Sequence, residues 1–84
     1  MTKQEITNEL NEIFRSVFMD AKLEINEAMT AKDVPKWDSL AHIDMIMLVQ
    51  EKFNIKIPAL KAARLQNVGE LISFIQEKTG KLAG

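Results

Sequence analysis

The chain contains no cysteine. Disulfides and cysteine-held metals are therefore excluded, and the polypeptide has no thiol of its own. A single histidine, His42, argues against a metal site built from protein ligands alone. No run approaches the ~18 consecutive apolar residues that a membrane span needs, so no membrane insertion is expected. The first twenty residues carry Lys3, Glu5, Glu9, Glu12, Arg15 and Asp20 where a signal peptide would be apolar, and a cytoplasmic location is the expectation. A formal net charge of −1 leaves no basic footprint for nucleic acid. What is present is a globular composition, 46% hydrophobic and 27% charged over 84 residues. Residues 1–84 read as a single domain with one core. Such a core leaves a net stability of about 3–5 kcal/mol. There is too little chain for an elaborate catalytic cleft, so the expectation is not an enzyme but a monomeric module that docks or carries.

Hydrophobic periodicity gives an all-α protein with three main helices, a short third one in chain order and a long loop between the first two. Ile6, Leu10, Ile13, Phe14, Val17 and Phe18 form the stripe of a helix at 3–18, and Thr2 with Glu5 reads as its capping box. Residues 19–38 have no sustained period. Thr30 and Asp33 suit the cap of a short turn there, and Pro35 interrupts any helix. A loop near twenty residues is unusual in a compact domain and often functional. The second helix starts at "DSL", with Leu40, Ile43, Ile46, Met47 and Phe53 as its apolar face and Asn54 as its end. Pro58 opens a short helix at 58–65. Asn67 and Glu70 repeat the capping pattern before a helix at 68–79 with the stripe Val68, Leu71, Ile72, Ile75. Lys78 and Gly80 are its C-terminal signals, and "KLAG" is expected to fray.

The stretch "PKWDSLAHID", residues 35–44, admits three readings of Ser39. Asp38 and Ser39 are both good N-caps, and a cap alone accounts for many such pairs. Ser39, His42 and Asp44 also suggest a hydrolase triad. Ser39 and His42 are three apart and share a face, but His42 and Asp44 are two apart, roughly 200° around the helix. Asp44 therefore does not orient His42 as a triad requires, and no G-x-S-x-G elbow is present. The third reading is a hydroxyl presented for attachment.

"WDSLAHIDMIMLVQEKFNIKIP" and "NVGELISFI" resemble the acyl carrier protein family, including its stand-alone members, and the resemblance covers nearly the whole chain. It implies a small four-helix bundle with a long first loop, which matches the helices read above, and that Ser39 receives 4′-phosphopantetheine as a covalent cofactor from a phosphopantetheinyl transferase that uses magnesium. Asp38 then helps hold the metal during transfer, with no resident metal. The thiol that the polypeptide lacks would come with the arm. A phosphodiester at the start of a helix is favoured by free N–H groups and the positive end of the dipole.

The charge pattern departs from the strongly acidic second helix of housekeeping relatives. Residues 1–38 hold eight acids and five bases, net −3, whereas residues 39–66 hold two acids and four bases, net +2. Lys36 also stands where stand-alone relatives often have glycine before "WDS". The expectation is a specialised carrier for a lipid, polyketide or surface-glycan pathway, served by acyl-loading and acyl-using enzymes. An aminoacyl or peptidyl carrier and an unmodified adaptor are the alternatives. Leu40, Asp44, Met47, Leu48 and Glu51 are the candidate docking surface, with core packing as the competing role for Leu40 and Met47. Leu48 is placed outward with Ala41 and Asp44. His42 reads as an exposed or half-exposed polar residue without chemistry, and Trp37 as a pin for the loop, with loop dynamics as its lesser role. Phe14, Ile43, Met47, Ile57, Leu71 and Ile75 are the expected lining of a cargo channel, with the flexible Met45 and Met47 near the arm.

Overall fold

The computed structural model describes residues 2–34 and 36–80. Four helices, α1 (Lys3–Val17), α2 (Ser39–Phe53), α3 (Ala59–Arg64) and α4 (Val68–Gly80), pack as a bundle, with no strand among the described residues. In α1, Thr2 Oγ1 accepts from Glu5 N at 3.1 Å and Glu5 Oε1 accepts from Thr2 N at 2.8 Å, the expected capping box. This bonding holds the Glu5 carboxyl below its ordinary pKa of 4.5, the bond from the Thr2 backbone first. The helix ends in a Schellman turn: Met19 N–H donates to the Ser16 carbonyl and Asp20 N–H to that of Arg15. Met19 occupies the left-handed position with φ 51°, where glycine is usual.

Helix α4 is capped by Asn67 Oδ1, which accepts from Glu70 N at 2.9 Å. The return bond to Glu70 Oε1 comes from Gln66 N, one residue before the position expected. Gly80 is the last residue of α4 and does not follow it. The "KLAG" segment and Pro35 lie outside the described residues.

The core gathers Ile6, Leu10, Ile13 and Phe14 of α1 with Val68, Leu71, Ile72 and Ile75 of α4, as the two stripes predict. Helix α2 differs from its expected orientation. It buries Met45, Ile46, Val49 and Phe53, while Leu40, Ile43 and Met47 are 74%, 55% and 60% exposed. The reason is composition. Both sides of α2 are apolar, so periodicity alone did not choose between them. The cargo-channel expectation falls at two of these three: Ile43 and Met47 face solvent, while Phe14, Ile57, Leu71 and Ile75 are buried.

The long loop is stitched to the bundle through its backbone. Arg15 Nε donates to the Leu23 carbonyl at 2.6 Å, and Ile25 N–H donates to Asn11 Oδ1 at 2.8 Å. The Glu27 and Met29 carbonyls accept from Gly69 and Val68 N–H, both at 2.9 Å, so the loop satisfies two orphan donors of α4. The approach is tight enough that a Cβ at residue 69 would lie 3.0 Å from the Glu27 carbonyl oxygen. Thr30 and Asp33 cap a 3₁₀ turn, Ala31–Asp33, as expected. This scaffold delivers the loop's last residues to the start of α2.

Candidate functional site at the start of helix α2

Asp38 is the N-cap of α2, and its Oδ1 accepts from Ala41 N at 2.9 Å. Ser39 is therefore the first helical residue and not the cap. Its side chain is exposed and makes no hydrogen bond among the described residues. The hydroxyl stands in the turn whose N–H groups have no intrahelical acceptor, a setting that favours an anionic substituent. The exposed Asp38 carboxylate opposes such an anion by like charge, yet its hard oxygens suit a divalent cation. Ser39 opens onto a groove of about 520 Å³ lined by Trp37, His42 and Ile43 together with Ala63 and Leu65. A hydroxyl with no other bond, a groove beside it and a helix N-terminus behind it fit a phosphate-linked arm.

Trp37 pins the loop as expected. Its ring meets Phe14 edge-on at 5.3 Å and Phe18 at 5.8 Å. His42 is half-exposed, within the range the sequence suggests, but its ring is bonded on both sides. Its Nδ1 accepts from Trp37 Nε1 at 3.1 Å, and its Nε2 lies 2.9 Å from the Ala62 carbonyl oxygen. Both ring nitrogens are thus engaged, neither by Ser39 nor by Asp44, and the triad is excluded on geometry. Sequence gave little warning of this bridge, because Ala62 contributes only its backbone. Among the described residues, no cluster of three or more His, Asp or Glu side chains is placed to hold a metal ion.

The exposed side of α2 carries Leu40, Ile43, Asp44, Met47, Leu48 and Glu51. Their spacing is that of one helical face, so this is an apolar stripe with two carboxylates set into it. All five candidate docking residues lie on it, together with Ile43, which like Met47 was expected to line the interior. Leu60 of α3 adds a further apolar side chain, 68% exposed. Lys56, Lys61 and Arg64 are exposed on the segment that follows α2.

An acyl carrier protein of Helicobacter pylori strain J99 is 39% identical over 59 residues, covering 70% of this chain and 74% of that protein. One of Helicobacter acinonychis is 36% identical over 72 residues, covering 86% and 82%. The chain belongs to the acyl carrier protein family. The solution structure of a holo acyl carrier protein from Geobacter metallireducens matches the fold with a TM-score of 0.83 at 30% identity, covering 92% of this chain and 88% of that one. No family model matches the chain. Acyl carrier proteins are carriers and not enzymes, they bear covalent 4′-phosphopantetheine, and they serve the enzymes of a pathway. No helix among the described residues is long and apolar enough to cross a membrane.

Proposed function

We propose that this carrier bears its 4′-phosphopantetheine on Ser39 and holds an acyl intermediate there as a thioester. The observation that carries this reading is the exposed, unbonded Ser39 side chain in the first turn of α2, beside its own groove. When bound, the group supplies a terminal thiol that the cysteine-free chain lacks. The chain's own residues do the rest. Asp38 fixes the first turn through Ala41 and offers carboxylate oxygen to the magnesium of a phosphopantetheinyl transferase. The first-turn N–H groups favour the phosphodiester. The outer stripe of α2 offers Leu40, Met47 and Leu48 for contact, with Asp44 and Glu51 setting register and approach.

The basic balance that follows α2 supports a specialised lipid, polyketide or surface-glycan pathway, with loading and using enzymes whose surfaces complement it. A cytoplasmic monomer of one domain is the form we propose. Treatment with coenzyme A, magnesium and a broad transferase should give one titratable thiol per chain, and Ser39→Ala none. An unmodified chain under conditions that modify a control carrier would favour the adaptor reading instead.

A further inference from the structure

We propose that His42 is a positioning residue for the Ser39 site: held between Trp37 and Ala62, it ties the long loop to α3 across the first turn of α2 and so sets the shape of the groove. The claim about loading rests on Ser39 being the attachment point. The donor inventory fixes the state of the ring. An indole N–H only donates, so Nδ1 must be the acceptor, and a backbone carbonyl only accepts, so Nε2 must carry the hydrogen. One neutral tautomer satisfies both bonds, at 3.1 and 2.9 Å. The two rings are also stacked, with centroids 6.0 Å apart and an interplanar angle of 21°.

Trp37 in turn rests on Phe14 and Phe18 of the core. The line of contact therefore runs from α1 through the loop and α2 to the backbone of α3. Helix α3 needs such an anchor: it has six residues, and Pro58 at its N-cap provides no side-chain bond. Ala63 and Leu65, which also line the groove, follow the Ala62 carbonyl that His42 holds, and Leu65 N–H donates to the same carbonyl at 3.4 Å. Releasing that carbonyl frees this part of the groove lining while leaving Ser39 and its helix turn in place.

The chain has one tryptophan, so a ¹⁵N-labelled sample gives one indole N–H resonance. His42→Leu removes both bonds, His42→Gln keeps an acceptor and a donor, and Trp37→Phe keeps the aromatic packing without the N–H. The indole resonance should move in His42→Leu and stay near its original position in His42→Gln. With coenzyme A, magnesium and a transferase, His42→Leu should raise the KM for the carrier about two- to tenfold, the worth of one neutral hydrogen bond, with kcat little changed. His42→Gln should restore it. Trp37→Phe should match His42→Leu, and the double variant should be no worse than either, since both cut one bridge. An unmoved indole resonance in His42→Leu, an unchanged KM, additive effects in the double variant or a failure of Gln to rescue would each overturn the proposal. A Ser39→Ala chain that still accepts the arm would overturn the attachment reading instead, and the resonance pattern would continue to report on the bridge.

Discussion

At the scale of single residues, conformation and exposure separate functional positions from structural ones. Ser39 lies in a favourable conformation and gains no visible bond from being serine, which is what an attachment point needs. Met19 is the opposite case. It ends α1 in the left-handed region although it is not glycine, and it is 85% exposed. A left-handed conformation costs an L-residue roughly 1–2 kcal/mol, so Met19→Gly should stabilise the fold, by about 1 kcal/mol after the extra chain entropy of glycine is counted. Urea titration checks this, and a lower midpoint would show that the methionine side chain contributes packing that its exposure conceals. The start of α2 at Asp38 and Ser39 was legible in the sequence because a cap is local. The bridge at His42 was not, because its partners are an indole five residues away and a carbonyl twenty residues away.

At the scale of elements, the helices and their caps were legible almost to the residue, and the facing of α2 was not. Helices α1 and α4 each have one apolar face, which leaves one way to bury them. Helix α2 has two, and only packing against α1 and α4 selects Met45, Ile46, Val49 and Phe53. The side left over is then available to partners. Asp44→Lys and Glu51→Lys should slow exchange with the true partner enzyme several-fold at low salt without unfolding the domain, because exposed charges steer association more than they stabilise folds. Normal turnover by both variants would place recognition elsewhere, with α3 and its Lys61 and Arg64 the next candidate. The α1 cap makes a separate prediction. Because the folded-state pKa of Glu5 lies below 4.5, its contribution is fully present above that value and is lost as pH falls through the lower one. Glu5→Ala should therefore melt below the native chain at neutral pH, and the gap should close in acid. A gap that persists unchanged at the acid end would mean that the carboxylate's ionisation plays no part in the cap.

At the scale of the whole molecule, the bundle must reconcile a packed core with a cargo that is apolar if it is acyl. Phe14, Val49, Val68 and Ile75 are fully buried, so a chain that enters between the helices has to displace side chains packed at near-crystalline density. Burial of the guest returns about 25 cal/mol per Å² of apolar area. The buried Met45 is an adaptable side chain along that path, whereas Met47 lies outside it. A long acyl group on the arm should therefore raise the melting temperature above that of the arm-only form, and a short one should raise it less. Equal melting of the long-acyl and arm-only forms would mean that the cargo stays in solvent, and a polar or aminoacyl substrate would become the better assignment. All of this depends on where the arm is attached. The most direct measurement is the intact mass of the protein made beside a phosphopantetheinyl transferase, with fragmentation to locate the added group. The account predicts one phosphopantetheine per chain, localised to Ser39 and absent from Ser39→Ala. A native chain that remains unmodified while a control carrier is converted, or a group that maps to any other residue, would contradict it.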